Sequence, residues 1–141
     1  MNNQNKLIVG VKAVILHNGK VLLIKRAHKA HIDGGTWEPV GGKLEFGEDI
    51  ESALRREIRE EVGLHVKIER ILYATTFKTD PSRQVVILTY LCESDKNDVL
   101  LSNEHEDFQW STKAQLKQLL PQKIIDDFEE NGVFSLTEIL E

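Results

Sequence analysis

Between Asp49 and Gly63 an aliphatic residue recurs at every fourth position, Ile50, Leu54, Ile58 and Val62, with acids in the first turn and a glycine directly after the last. That period predicts an α-helix from about Asp49 to Val62, terminated by Gly63. No other segment constrains the fold as tightly, because such a helix must lay its apolar stripe against something equally apolar. At roughly 100° per residue, Glu57, Glu60 and Glu61 fall within about 100° of arc, next to that stripe. The three carboxylates therefore stand beside the core rather than opposite it. Like charges at i, i+3 and i+4 repel by a few tenths of a kcal/mol per pair, whereas a hard divalent cation favours several anionic oxygens at once. Taken alone, the glutamates with Arg55, Arg56 and Arg59 are also the ordinary pattern of a solvated face held by i, i+4 ion pairs.

The apolar surface that the helix needs comes from strand-like runs. Leu7 to Leu16 and Val21 to Ile24 flank Asn18-Gly19, the dipeptide of tight hairpins, and are expected to pair antiparallel. A second antiparallel pair is expected from Val66 to Thr79 and Gln84 to Glu93, around the turn Asp80-Pro81-Ser82-Arg83. Ala27 to Thr36, containing His28 and His31, reads as a loop of about ten residues. Trp37 to Val40 leads into Gly41-Gly42, then a polar segment, Lys43 to Glu48. Further on, Asn97 to Glu106 is polar, Phe108 to Trp110 suggests a short strand, and Ser111 or Thr112 is placed to cap a helix reaching Leu120, ended by Pro121. Another helix is expected from Gln122 to Asn131, with Ser135 capping a last short turn. No repeat, low-complexity tract or linker interrupts the chain, so residues 1–141 are expected to form one domain.

With 141 residues and 40% hydrophobic content, the chain is long enough for a real core, and its net charge of −5 sets limits on partners. Wrapping nucleic acid or docking on an anionic membrane calls for a basic face, and none is evident. A polyanionic substrate would need cations to help bind it. Cys92 lies in an apolar run and reads as a small buried hydrophobe, in keeping with a reducing cytosol. The polar start, Met-Asn-Asn-Gln-Asn-Lys, does not resemble a signal peptide, no apolar run approaches membrane-spanning length, and a cytoplasmic location is expected.

What lifts the acidic run out of the ordinary is its setting. Gly42, Glu48, Arg56, Glu57, Ile58, Glu60, Glu61, Gly63 and Leu64 match, at all nine specified positions, the pattern Gly-x5-Glu-x7-Arg-Glu-U-x-Glu-Glu-x-Gly-U, where U is a bulky aliphatic residue. At one chosen start, such agreement has a chance probability on the order of 10^-10 from average residue usage. The segment resembles the Nudix box. The resemblance implies an α/β fold, an α/β/α sandwich with a mixed central sheet and the box as loop-helix-loop. It implies a hydrolase in which Glu57, Glu60 and Glu61 hold Mg2+ or Mn2+ and the Gly41 carbonyl adds a ligand, while Arg56 pairs with Glu48 to orient the helix. One departure stands out. The family often has Pro-Gly-Gly here, whereas this chain reads Glu38-Pro39-Val40-Gly41-Gly42, so a slightly altered loop path is expected.

Beyond the box, Glu104 lies six residues before Trp110, like a loop that in relatives adds a metal ligand or catalytic base; Glu106 is the lesser candidate. Arg26 resembles a substrate-phosphate contact, for which a guanidinium suits bidentate binding, and a solvated strand-end arginine is the equal alternative. Glu38 is weighed evenly between supporting the site and ending a strand in water, and Gly42 is a candidate for close backbone approach to substrate. His28 and His31 read chiefly as surface residues. Phe77 or Tyr90 could stack a base, although aromatic residues in strands are more often core.

The reaction implied is attack of water on one phosphorus of a nucleoside diphosphate linked to another moiety, with divalent cations lowering the water's pKa and neutralising phosphate oxygens. Glu57 is the first choice of general base and Glu104 the second. The favoured substrate is a nucleoside triphosphate, oxidised ones included, cleaved to monophosphate and pyrophosphate. ADP-ribose or another nucleotide sugar is the enzymatic alternative, and a non-catalytic nucleotide-sensing or RNA-binding module the rival of another class. A homodimer is compatible with the resemblance, and no residue marks its interface.

Overall fold

The Val- and Ile-rich run near the start of the chain becomes β1 (Lys6–His17), and the other strands arrange themselves around it. In the computed structural model, which describes residues 4–30 and 33–141, β1 is followed by β2 (Lys20–Arg26), β3 (Trp37–Lys43), α1 (Ile50–Val62), β4 (Val66–Asp80), β5 (Arg83–Ser94), β6 (His105–Ser111), α2 (Lys113–Leu119) and α3 (Gln122–Glu130). The six strands form one mixed sheet in the order β4-β5-β1-β3-β2-β6. Both expected turns form, with Asn18 and Gly19 each at positive φ, the conformation of a tight hairpin.

β4 and β5 pair antiparallel around the Asp80 turn as expected, whereas the first pair is not a simple hairpin. β1 and β2 meet only at Leu16↔Val21 and His17↔Lys20. The long partner of β1 is β5, parallel from Lys6↔Arg83 to Leu16↔Glu93. On its other edge β1 runs antiparallel to β3, from Gly10↔Lys43 to Ala13↔Val40. Alternation along β1 then builds two cores. Val11, Ala13 and Ile15 face α1 with Ala53, Leu54, Ile58 and Val62, whereas Val14 and Leu16 face Leu116, Leu120 and Phe128. Helices thus cover both faces of the sheet, which is the α/β/α arrangement.

Helix α1 begins and ends where the sequence signals predict. Asp49 caps it by accepting from the Ser52 N–H, and Gly63 closes it in the left-handed conformation with its own N–H donating to the Arg59 carbonyl. Ile50 departs from the expected stripe: it is 36% exposed, while Leu54, Ile58 and Val62 are buried. Pro39 does not bend a loop either. It lies inside β3, where the strand changes partner from β2 (Trp37 to Pro39) to β1 (Val40 to Lys43), so the missing N–H falls at a handover. The expected short strand at Phe108 to Trp110 is longer and starts at His105. Thr112, not Ser111, caps α2, in a reciprocal capping box with Gln115. Ser135 caps nothing and instead ends a 3-10 turn, Val133–Ser135, that Gly132 introduces. Cys92 is buried as read, and burial pushes its thiol up to about 12, leaving it an inert apolar group. Among the described residues, no helix is long and apolar enough to cross a membrane.

Truncating the α1 stripe should be costly where it meets β1 and cheap where it does not. Leu54→Ala is expected to lower the urea unfolding free energy by about 2–5 kcal/mol. Ile50→Ala should cost less than about 1 kcal/mol by the same measurement.

Candidate active site

Helix and strand come closest at Gly41 and Gly42. Gly41 sits at φ +146°, and a Cβ there would run into the Val11 carbonyl, while a Cβ on Gly42 would run into the Glu57 carboxylate. Only glycine leaves room for α1 to press its acidic edge onto β3. The Gly41 N–H donates to Glu61 Oε1 at 2.8 Å, and Glu61 is only 7% exposed. Burial is the main influence on that carboxyl and pushes it up to about 7, although the Lys12 charge and the Gly41 N–H pull the other way. Burial also raises Glu57, against the pull of Arg56.

Arg56 joins the preceding loop to the helix. It donates from Nε to Glu48 Oε2 at 2.6 Å and from Nη2 to Glu48 Oε1 at 2.9 Å, a bidentate pair. The same guanidinium reaches Glu57 at 2.9 Å, Glu60 at 3.1 Å and the Lys43 carbonyl at 3.1 Å. The Arg56 hydrogen bonds bring the Glu48 carboxyl down to about 2. This is more than a solvated face of i, i+4 pairs. Among the described residues, no three or more His, Cys, Asp or Glu side chains are already gathered around one point in ligating fashion. Arg56 draws Glu57 and Glu60 toward itself, and Gly41 holds Glu61.

On the other side of Gly41, Glu38 receives three cations or donors. Lys12 Nζ lies 3.4 Å from its Oε1, Arg26 Nη1 lies 3.3 Å from its Oε2, and His105 Nε2 donates to Oε2 at 2.8 Å. Burial alone would raise this carboxyl, yet the His105 hydrogen bond and the Lys12 and Arg26 charges outweigh it and bring Glu38 down to about 2. Glu38 is thus a fixed anion of the site, not a strand end in water, and Arg26 is tied to it. His105 Nδ1 is buried without a hydrogen-bond partner among the described residues, which selects the tautomer carrying its proton on Nε2.

Lys12 and Glu38 also line a cavity of about 390 Å³ on the α3 face of the sheet, walled by Trp37, Pro39, Tyr73, Phe77, Ile87 and Ile124, with Asp33 and Asp127 among its polar groups. Lys123 Nζ stands 3.3 Å from the centroid of the Phe77 ring. Tyr90 packs on the opposite, α1 face, so Phe77 alone of the two aromatic candidates reaches the cavity.

Glu104 is brought no closer than this. Its side chain is exposed, and among the described residues no hydrogen bond or ion pair links it to the α1 carboxylates; its backbone carbonyl accepts from the Ala27 N–H. Glu106 instead clips the Ala27 loop, accepting from the His28 backbone N–H at 2.6 Å and lying 2.7 Å from His28 Nδ1. His31 lies outside the described residues. Two site residues, Lys12 and His105, were not anticipated. Lys12 carried a signal, being the one charged residue in the run from Leu7 to Leu16. His105 carried none, since its inward aim follows from a register shift between Lys25 and Arg26 in the β2–β6 pairing.

The NUDIX domain model matches residues 6–129. The chain belongs to the Nudix family. Nucleoside triphosphatase NudI of Enterobacter sp. (strain 638) is 34% identical over 116 residues, which is 75% of this chain and 82% of that protein. The crystal structure of a MutT protein from Methanosarcina mazei Go1 superposes with a TM-score of 0.80 at 26% identity, covering 89% of this chain and 93% of the other. A MutT Nudix hydrolase from Burkholderia pseudomallei gives 0.75 at 28% identity, covering 89% and 98%. This Nudix chain is a hydrolase of phosphoanhydrides, of a family that generally uses divalent metal ions.

The Glu38 network makes a pH-dependent contribution to the stability of this Nudix fold. Its carboxyl is lowered from 4.5 to about 2, so the stabilisation is complete above the unfolded value and disappears as pH falls through the folded one. Glu38→Gln should therefore lose on the order of 2–3 kcal/mol at pH 7. In urea titrations repeated at successively lower pH, its deficit against the parent should begin to shrink near pH 4.5 and vanish towards pH 2. A deficit constant with pH would refute the charge network as its source.

Proposed function

We propose that this Nudix hydrolase cleaves a nucleoside triphosphate to the monophosphate and pyrophosphate, using Mg2+, with Mn2+ as substitute, held by Glu57, Glu60, Glu61 and the Gly41 carbonyl. The observation that carries this reading is the continuity of two environments. Lys12 lines the ring-lined cavity and donates to the Gly41 carbonyl, and the Gly41 N–H donates to Glu61 on the acidic edge of α1, so two hydrogen bonds join the two environments. The cavity's volume lies at the low end of the ~300–1,000 Å³ usual for small-ligand sites, a size suited to one nucleoside rather than two. The similarity to proteins named nucleoside triphosphatase supports the same substrate class.

The donor set suits a hard divalent ion. All its members are oxygens, and Glu61 is a buried carboxylate whose only direct hydrogen bond among the described residues comes from the Gly41 N–H. Completing the set requires Glu57 and Glu60 to turn from Arg56, which keeps its bidentate hold on Glu48 when they do. A cation held there would neutralise phosphate oxygens and lower the pKa of the attacking water.

The chain's own groups supply the rest. Once Glu57 has turned from Arg56, one of its carboxylate oxygens is free to ligate and the other to take the proton from water as general base. Water's oxygen bonds to phosphorus as the bridging P–O bond breaks, and pyrophosphate leaves with the electron pair. Arg26 is proposed to meet the phosphate chain, with Phe77 stacking the base and Gly42 letting the backbone approach the substrate. Arg56 and Glu48 act as positioning residues.

The decisive assay compares nucleoside triphosphates, ADP-ribose and dinucleoside polyphosphates with Mg2+, measuring monophosphate release. The highest kcat/KM should belong to a triphosphate, and a higher value for ADP-ribose would displace that substrate assignment. Glu60→Gln should abolish turnover in a protein whose circular dichroism and unfolding remain native; hydrolysis like the parent's would sink the metal assignment. Glu57→Gln should lose turnover far more severely than Glu104→Gln, since Glu104 is exposed and, among the described residues, has no hydrogen bond or ion pair to the helix carboxylates. The reverse order would make Glu104 the base.

A further inference from the structure

Lys12 is held by three acceptors, one for each ammonium hydrogen: Glu38 Oε1 at 3.4 Å, the Pro39 carbonyl at 3.3 Å and the Gly41 carbonyl at 3.3 Å. The stem lies flat on the glycine, for a Cβ on Gly41 would stand only 2.9 Å from Lys12 Cδ. The ammonium is therefore placed by the β1–β3 register and not by a freely moving arm. Its charge acts on Glu57 and Glu61 as well, although it pairs with neither. Of its three partners, Glu38 and Pro39 line the cavity, while Gly41 faces the acidic helix.

From this geometry we propose that Lys12 is a built-in competitor for the divalent cation: its ammonium and the metal exclude one another at the Gly41 carbonyl, so that metal loading releases Lys12 toward the cavity. The inference rests on the assignment of Gly41 and the α1 glutamates as the metal site. An ammonium and a divalent ion cannot share one carbonyl oxygen, since cations about 4 Å apart in a partly desolvated site repel strongly. Lys12 can give up Gly41 and keep Glu38 and Pro39. The displaced ammonium then stands on the cavity side, with Glu38 and the Pro39 carbonyl. Before loading, the same ammonium offsets part of the charge that the glutamates place on one corner of the fold. The competing description, a simple strut between β1 and β3, gives the lysine no reason to respond to metal.

The two descriptions differ in metal affinity, which is read without turnover. Free Mn2+ would be followed by electron paramagnetic resonance during titration of the full chain, comparing the parent with Lys12→Met and Lys12→Gln. Both neutral variants should bind Mn2+ tighter, by roughly tenfold. Unchanged or weaker binding overturns the proposal. Should neither variant fold, the parent alone decides: the Lys12 13Cε resonance, assigned with Lys12→Arg, must shift as Mg2+ saturates the site, and a resonance unmoved at saturation overturns the idea equally. Glu61→Gln and Glu57→Gln are titrated alongside. If they bind Mn2+ like the parent, the metal-site reading fails and this inference falls with it. If they lose Mn2+ while the Lys12 variants match the parent, the competition alone is refuted.

Discussion

A single residue, Gly41, has both its backbone polar groups committed to charged side chains. Its N–H donates to Glu61 beneath α1 and its carbonyl accepts from Lys12, which rises from the other face of the sheet. That arrangement has the helix so close over Gly42 that a Cβ there would run into the Glu57 carboxylate, and β1 so close to Gly41 that a Cβ there would run into Val11 and Lys12. The approach buries Glu61, and burial is what separates its carboxyl from an ordinary surface glutamate. Removing a carboxylate from water is unfavourable unless something compensates it. The close packing thus leaves the Glu61 carboxylate under-compensated, and a cation is what would compensate it.

Two arginines and a lysine divide the remaining acids between them, and the division is geometric. Arg56 gives its planar fork to Glu48, where two parallel hydrogen bonds hold the loop before α1, and it spends its third nitrogen on Glu57 and Glu60. Glu38 is served by Arg26 and Lys12 together with His105. The result is one anion that is locked, Glu48, one that is neutralised on the cavity side, Glu38, and a trio on the helix whose counter-charge is incomplete. A protein with net charge −5 that is to handle a polyphosphate has reason to leave such a trio open to metal ions.

Helix α1 was legible in the sequence because every signal for it is local: a fourfold aliphatic period, acids in the first turn, a Gly63 stop and a nine-position pattern at fixed spacing. The sheet was less so. β1 and β5 are both apolar runs flanked by turns, and nothing in either says that they pair in parallel, since partner choice depends on which faces α1 and α3 cover. Trp37 to Val40 was read as leading into Gly41-Gly42 with no strand assigned, but pairing of Gly41 and Gly42 with Lys12 and Val11 carries β3 through to Lys43. β6 was read short because His105 to Asp107 look like loop residues. The same blindness hid His105, whose burial is a product of a register shift. Lys12 was the one omission with a visible cue: a lone lysine in an aliphatic strand must find buried acceptors, and it finds two carbonyls and a carboxylate.

The two faces of the sheet have different chemistry, and a phosphoanhydride substrate needs both. The α3 face offers a ring-lined cavity with Phe77 and Trp37, suited to an organic moiety; the α1 face offers oxygens, suited to a cation and the phosphates it neutralises. A ligand bound only in the cavity would gain apolar contact without meeting the reacting groups, and inorganic phosphate would meet those groups without an anchor. Binding energy gathered remotely in the cavity can serve orientation at the phosphorus only if the two regions are rigidly linked. In this fold the link is the β3 backbone from Trp37 to Gly42, hydrogen-bonded to β2 and then to β1. Pro39, displaced from the usual family position, sits at the midpoint of that link and fixes φ where ladder pairing changes hands. Its cost to the sheet is small there, and its stiffness falls where the two halves of the site must be held in register.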